Sequence, residues 1–436
     1  MLAAVLFLLL SLASAAAADS LSPTADSLRV RFEIGGSSDY TNEIYYLDSL
    51  ATPTLVQRER FDIPEARYAG VALATLEGTR ARGGTGYSLT HELSLGDRLQ
   101  RASLLGRWRQ ALGPDWRLLV APRAQYRRDR TLGRDFEEYQ AAGAARLRRG
   151  LAGGTSAAEV GVQGDWLETT GSGAGLLLDR WSAGGSGALE QSDFEGVDWR
   201  LDYTFRGRGF PDSSVRDHVE HESQARARLG WGIASYAVIE AMLVRRFTVR
   251  TAPNSQDNFW EEGGAIEMVQ SSAGAVGWPT RIDFEAVQFD VEDDVLYFDH
   301  QLVRARSGAR LQPERAWTLE CGPLAEWLSA KRAPDEEYFE IGGFAEFESI
   351  TAGSLWSLTP SAGHRRYRSA SAATVEDPYS AGRSSYRFVQ LDVLGDQRIP
   401  GGCRARAGGS ARWEFHDDSV ENAGSLYFSL DVRRLF

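Results

Sequence analysis

Residues 196–207 read GVDWRLDYTFRG, and the character of the side chain changes at every step. The apolar series is Val197, Trp199, Leu201, Tyr203 and Phe205, and the polar series is Asp198, Arg200, Asp202, Thr204 and Arg206. Alternate side chains of a β-strand point to opposite faces, so this stretch predicts a strand with one apolar and one charged face. A helix would need a period of about 3.6 residues, which this stretch lacks.

The same alternation recurs from residue 28 to the C-terminus, for example at 116–127, 219–231 and 403–415. Segments rich in glycine, proline and aspartate separate the alternating stretches and predict tight turns at 82–86, 113–115, 153–155, 183–187, 401–402 and 416–418. The pattern predicts one all-β domain over residues 28–436, built from antiparallel hairpins. We expect about twenty strands, from Leu28–Ile34 to Leu426–Phe436, with 16 or 18 as alternatives, and long connections at 37–65 and 363–383.

The composition excludes several classes of protein. With 43% hydrophobic and 25% charged residues the chain is not disordered, and a net charge of −12 without a basic run argues against nucleic-acid binding. Cys321 and Cys403 are too few and too far apart for a disulfide framework or a structural zinc site, so no cofactor or metal is expected. The mean hydropathy of −0.33 argues against a helical membrane protein.

The first residues have the pattern of an export signal. An apolar run from Leu2 to Leu12, too short to span a bilayer, is followed by small residues up to Ala18. This arrangement predicts a cleaved signal peptide over residues 1–18 and a short segment, 19–27, ahead of the first strand.

Aromatic residues mark the two ends of the apolar faces. Trp317 and Trp327 lie ten positions apart on one face, as do Trp116 and Tyr126. Ten strand residues rise about 33 Å, or about 25 Å along the normal at a tilt of about 40°, which is the height of the apolar band of a membrane β-barrel. A soluble sandwich also alternates, but not with this spacing. The predicted girdle residues are Trp116, Tyr126, Trp199, Trp231, Trp317, Trp327 and Trp413.

The C-terminal stretch Leu426–Phe436 places Phe428, Leu430, Val432 and Phe436 on one face and ends in an aromatic residue. In this it resembles bacterial outer-membrane β-barrel proteins, with Arg434 as one departure from the hydrophobic pattern. The resemblance implies a single transmembrane barrel in the outer membrane of a Gram-negative bacterium, in contact with lipid. It also implies that the barrel assembly machinery reads Phe436, Val432, Leu430 and Phe428, and that both termini are periplasmic.

A barrel of about twenty strands would be roughly 35–40 Å across and too wide for side chains to fill. The sequence therefore predicts a porin-like channel for small hydrophilic solutes, and it leaves a homo-oligomer open. The alternative is that the charges only pair across neighbouring strands. The expected pore-lining residues are Arg123, Arg127, Arg146, Arg148, Arg200, Arg206, Arg226, Arg228, Arg404, Arg406, Arg412, Glu138, Glu159, Asp165, Asp198, Asp202, Glu220, Glu222, Glu340 and Glu346.

Two other functions remain open from the sequence. One is a structural, adhesin or export-associated barrel. The other is an outer-membrane hydrolase with an active site at the rim. Its best constellation is Asp217–His218 with Glu220 and Glu222, ahead of Asp299–His300 and of His416 with Asp417 and Asp418. His221 should point outward. No catalytic residue is predicted with the channel.

Overall fold

The computed structural model is almost entirely β-strand. It describes residues 27–52, 55–80, 84–96, 99–130, 135–151, 155–172, 179–192, 196–231, 234–249, 258–272, 276–291, 298–314, 316–368, 384–417 and 422–436. The predicted signal peptide, 1–18, and nearly all of segment 19–27 lie outside these ranges. The strands are β1 (Ser27–Thr52), β2 (Leu55–Arg80), β3 (Thr85–Gly96), β4 (Leu99–Ala111), β5 (Trp116–Asp129), β6 (Asp135–Leu151), β7 (Ser156–Ser172), β8 (Arg180–Ser192), β9 (Val197–Gly209), β10 (His218–Trp231), β11 (Ser235–Thr248), β12 (Phe259–Ser271), β13 (Val276–Phe289), β14 (His300–Ser307), β15 (Ala309–Glu314), β16 (Trp317–Ser329), β17 (Tyr338–Thr351), β18 (Ser354–Tyr367), β19 (Tyr386–Ile399), β20 (Cys403–His416) and β21 (Ala423–Leu435).

These strands close into one antiparallel barrel. Strands that follow one another in sequence pair with one another, and β1 pairs with β21 from Glu33↔Leu435 to Ile44↔Gly424. Because β14 and β15 lie in line and both pair with β13 and β16, they form a single wall strand, and the barrel has 20 strands. The predicted fold and strand number are confirmed.

Prolines explain the break between β14 and β15. Pro279 of β13 lies opposite Gly308 and Pro323 of β16 lies opposite Ser307, and neither proline has an N–H to donate to the ladder. Gly308 donates its N–H to the carbonyl oxygen of Pro279, 3.0 Å away. Pro122 interrupts the β4–β5 ladder in the same way, between Leu105↔Arg123 and Trp108↔Val120.

The predicted long loop at 37–65 is wrong, because β1 and β2 run through it. Their pairing continues without a break from Ser27↔Thr79 to Leu50↔Val56 and ends at Thr52↔Leu55. The neighbouring strands stop earlier, β21 at Ile44↔Gly424 and β3 at Ala69↔Gly96, so the hairpin extends beyond the rest of the sheet. The other predicted long connection, 363–383, begins later than expected because β18 continues to Tyr367, and residues 369–383 lie outside the described part of the chain.

The predicted turn at 183–187 is also wrong, since this glycine-rich segment lies in the middle of β8. A side chain at Gly184 would clash with the carbonyl oxygen of Phe205 in β9, so the glycine serves close packing of two backbones here. The predicted turn at Gly401 and Gly402 is confirmed: both have positive φ, 87° and 78°, which L-residues with side chains rarely adopt.

The two ends of the barrel differ in the length of their connections. At the end that holds Ser27 and Phe436, here called the proximal end, the connections are short, for example 315–316, 352–353 and 400–402. At the opposite, distal end most are longer, for example 210–217 and 330–337, although only two residues separate β1 from β2 and β3 from β4. Among the described residues, no helix has the length and apolar character needed to cross a membrane.

Candidate functional site: the inner wall of the barrel

One ion pair identifies the concave face of the sheet. Arg433 of β21 and Glu92 of β3 approach to 3.3 Å (Nη2···Oε1), although β1 and β2 lie between their strands. Neighbouring strands are about 4.8 Å apart, so the two side chains start about 14 Å from each other. They can meet only where side chains converge, inside the barrel. The face that carries Arg433 and Glu92 is therefore the inner wall.

The pairing registers carry this assignment around the whole sheet. Arg404 lies opposite Arg433, Arg200 lies opposite both Glu190 and Arg226, and Glu340 lies opposite Glu326. All twenty sequence-predicted pore-lining residues fall on the inner wall: Arg123, Arg127, Arg146, Arg148, Arg200, Arg206, Arg226, Arg228, Arg404, Arg406, Arg412, Glu138, Glu159, Asp165, Asp198, Asp202, Glu220, Glu222, Glu340 and Glu346.

The outer face carries the other series. The seven predicted girdle residues, Trp116, Tyr126, Trp199, Trp231, Trp317, Trp327 and Trp413, all alternate with inner-wall positions of their strands. So do Phe428, Leu430 and Val432 of β21. Phe436 donates its N–H to the carbonyl oxygen of Phe32, 2.9 Å away, and the Arg434 guanidinium carbon lies 5.0 Å from its ring centre. Their roles in the interface and in assembly stay predictions.

Ion pairs connect many of the inner-wall charges. Arg200 contacts Asp202 at 2.7 Å and Glu190 at 2.8 Å, and Arg148 also reaches Glu190. Further pairs join Arg281 to Asp283 at 2.7 Å, Arg304 to Glu326 at 2.7 Å, and Arg310 to Glu320 at 2.8 Å. The predicted Arg148 and Arg200 thus share Glu190, which was not predicted, and the last three pairs lie wholly outside the predicted set. The alternation of apolar and charged residues in β13, β14 and β16 could have identified these charged residues as inner-wall residues.

A cluster of arginine and aromatic side chains thickens the inner wall near the distal end of β17–β20. Arg365 contacts Glu340 at 2.8 Å and Glu326 at 3.2 Å, and its guanidinium carbon lies 3.9 Å above the ring centre of Tyr338. Beside it, Tyr367, Tyr386 and Phe388 form a buried group. These contacts hold Arg365 in one place, because its charge is paired with two carboxylates and its guanidinium also faces the rings of Tyr338 and, at 5.7 Å, Tyr386.

One sector of the inner wall is basic and not neutralised. It comprises five arginines on β4 and β5, namely Arg101, Arg107, Arg109, Arg117 and Arg123. Among the described residues no carboxylate pairs with any of the five, and Arg123 donates to the amide oxygen of Gln125 at 2.5 Å. Neighbouring arginines do have acidic partners: Arg127 contacts Asp129 at 2.8 Å. This sector presents free positive charge to the lumen.

A recess of about 720 Å³ lies in the inner wall of β9–β14. Its charged lining includes Arg226, Glu240, Glu261, Arg281, Asp283 and Arg304. Because both signs of charge face it, the recess suits a polar solute that carries donors and acceptors rather than an apolar one.

Among the described residues the histidines do not assemble the predicted rim site; Asp418 of the third constellation lies outside them. His218 is 1% exposed and its Nδ1 lies 2.9 Å from the carbonyl oxygen of Arg216. Within the described ranges, no hydrogen bond or ion pair joins it to Glu220 or Glu222. His300 and His416 each face one glutamate, Glu285 at 3.8 Å and Glu414 at 3.4 Å.

His221 lies on the outer face as expected, 2.6 Å from the hydroxyl of Tyr203 and stacked on Phe247. Within the described part of the chain, no three His, Cys, Asp or Glu side chains are grouped to hold a metal ion.

Comparison with known proteins identifies the fold. No protein-family model matches the sequence, and no curated protein matches it either. Among solved structures, the chain is similar to the copper transporter OprC, with 10% identity and a TM-score of 0.60, over 94% of this chain and 80% of that one.

Two further structures are similar over most of their length. The siderophore receptor PirA from Pseudomonas aeruginosa has 10% identity and a TM-score of 0.53, over 94% of this chain and 80% of that one. The ferric citrate transporter FecA in the unliganded form has 9% identity and a TM-score of 0.50, over 92% of this chain and 78% of that one. The chain therefore has the fold of a bacterial outer-membrane β-barrel protein.

Proposed function

We propose that this protein is an outer-membrane channel through which small hydrophilic solutes pass. The observation that carries the proposal is a closed barrel of 20 strands whose inner wall bears rows of charged side chains and whose outer face bears a band of exposed apolar side chains. A cylinder of this strand number is roughly 35–40 Å across, wider than wall side chains can fill. A wide polar interior stays hydrated, which a solute path requires. The solved transporters with this fold support the same proposal.

The orientation follows from the connections. Outer-membrane barrels have short periplasmic turns and longer extracellular loops. With that rule, the proximal end is periplasmic and the distal end extracellular, so solutes would enter past the arginine–aromatic cluster of Arg365.

The distribution of charge supports a preference for anionic solutes along one wall. Arginines with acidic partners, such as Arg200 and Arg304, contribute little net field. The free arginines of β4 and β5 would raise the local concentration of anions. The twenty predicted residues are proposed to line the solute path. The five arginines of the basic sector are proposed to give the channel its preference for anions.

The test is single-channel recording of the purified, folded protein in planar bilayers. We expect discrete current steps, and a reversal potential in a potassium chloride gradient that favours chloride. The double variant Arg107→Gln/Arg109→Gln should shift that potential toward potassium. Salt near 0.1 M should be used, because the screening length there is about 10 Å and shortens at higher salt.

The matched control is Arg149→Gln. Arg149 lies on the outer face, 5.3 Å over the ring of Trp116, so its loss should leave the reversal potential unchanged. A folded barrel that never gives current steps would contradict the channel. An equal shift in the control would contradict the assignment of anion preference to β4 and β5.

A further inference from the structure

The outer face of β18 and β19 changes character at the distal end. Along β18 the outward residues are Trp356, Leu358, Pro360 and Ala362, and then His364 and Arg366. Along β19 the outward residues Leu391 and Val389 are followed by Arg387. Trp356 and Arg366 are ten positions apart, which is about 25 Å along the normal at a tilt of about 40°. The basic residues thus lie at the extracellular boundary of the apolar band.

The register brings the three basic residues together. His364 lies directly opposite Arg387, and Arg366 is two residues farther along the same face. Directly opposed side chains have Cβ atoms about 5 Å apart and diagonal ones about 7–8 Å, within the reach of two arginines toward one group. Like charges placed so close repel each other unless an anion lies between them.

No carboxylate of the described residues supplies that anion. The contrast with other outward arginines at the distal end is direct, since Arg128 contacts Asp135 at 2.8 Å and Arg245 contacts Asp290 at 2.6 Å. Arg366 and Arg387 have no such partner in the described ranges, and both side chains are exposed.

Apolar side chains frame the basic group. Phe339 lies opposite Arg366 on β17, and Phe415 lies opposite Arg387 on β20; they are 49% and 54% exposed. Trp413, opposite Val389, lies one step deeper. The surface therefore offers cations at headgroup level, exposed rings beside them, and Trp413 and aliphatic side chains deeper in the apolar band, the arrangement that an amphipathic phosphorylated lipid requires.

We propose that Arg366, Arg387 and His364 bind a phosphate group of the phosphorylated glycolipid of the outer leaflet. Two guanidinium groups hold the phosphate oxygens, and the acyl chains lie along the outer face of β17–β20. The site rests on the outer-membrane location of the barrel and is separate from the proposed solute path.

The test is native mass spectrometry of the detergent-solubilised protein titrated with bisphosphorylated lipid A. We expect one lipid to be retained, and the double variant Arg366→Gln/Arg387→Gln to weaken its retention at least about tenfold, which corresponds to roughly 1.4 kcal/mol. Arg149→Gln, at the periplasmic boundary of the outer face, should bind as the unmodified protein does. The two single variants are measured as well, so that a comparison remains if the double variant does not assemble.

Two comparisons decide the source of the phosphate. Lipid A with both phosphates removed should bind at least about tenfold more weakly, and inorganic phosphate at the same concentration should not compete. Equal retention of the dephosphorylated lipid, or of lipid A by the double variant, would overturn the proposal. Competition by inorganic phosphate at equal concentration would also overturn it, because the site would then be for the free ion.

Discussion

At the scale of single residues, the inner wall contains two kinds of arginine. Arg365 is enclosed by Glu340, Glu326 and Tyr338, and its side chain is 17% exposed. Arg226, at 64% exposure, faces Glu240 across 3.3 Å in the open lumen. Water can replace the partner of an exposed charge but not that of a buried one. The two arginines should therefore differ in what their removal costs.

We expect Arg365→Ala to lower the stability of the folded barrel by about 3 kcal/mol, because it leaves the buried Glu340 without its cation and Glu326 with Arg304 alone. Arg226→Ala should cost less than about 1 kcal/mol. Urea titration of the heat-modifiable folded form on gels measures both. Equal losses of stability in the two variants would show that the Arg365 cluster is as accessible to water as the rest of the lumen.

At the scale of elements, one carboxylate, that of Glu337, holds the distal connection 330–337 through hydrogen bonds. Glu337 accepts hydrogen bonds from the N–H of Ala330 at 3.2 Å, the hydroxyl of Ser329 at 3.3 Å and the guanidinium of Arg368 at 2.6 Å. Burial alone would raise the pKa of Glu337, but the hydrogen bonds from Arg368 and Ala330 outweigh it and hold the pKa below its usual 4.5. The connection is therefore ordered by a charged group.

The sign of the pH dependence follows from this lowered pKa. The charged Glu337 stabilises the folded connection fully above pH 4.5, and that contribution is lost as the pH falls through the lower pKa of the folded state. We expect amide exchange of residues 330–337, corrected for its intrinsic pH dependence, to accelerate in acid. Glu337→Gln should accelerate this amide exchange already at neutral pH. An unchanged exchange rate in that variant would show that the Glu337 carboxylate does not order the connection.

At the scale of the whole molecule, closure depends on a single contact between distant parts of the chain, the β1–β21 pairing. Gly35 lies in this seam, and a side chain there would collide with the carbonyl oxygen of Val432. Gly143, in β6, has open space around the position of a side chain.

We expect Gly35→Val to prevent the compact, heat-modifiable form while Gly143→Val retains it. Both replacements add the same bulk to a strand, so only the place of the glycine differs. Gel mobility with and without heating, after refolding into detergent, distinguishes the two. A closed barrel in Gly35→Val would show that the seam tolerates a shifted register.

The sequence predicts the barrel well because a wall strand has one face toward water and one toward lipid, so period two recurs in most strands, as in 197–205. The predictions for 37–65 and 183–187 fail for another reason. How far β1 and β2 extend beyond their neighbours depends on the strands beside them, and so does the close backbone packing at Gly184. The residues of one stretch do not show which residues lie beside it. The basic sector of β4 and β5 likewise depends on which carboxylates lie across the ladder, and only the register gives that.

The seam also has a consequence for the order of folding. Outside β1–β21, the strands that pair through backbone hydrogen bonds are neighbours in sequence when β14 and β15 count as one strand, so hairpins can form with small loop-closure entropy. The seam instead joins Glu33 to Leu435, across nearly the whole chain. Its formation is therefore the slow, non-local step, and until then β1 and β21 present free edges. A chain halted before this step would be a nearly complete sheet with two exposed ends, the form most exposed to edge-to-edge aggregation.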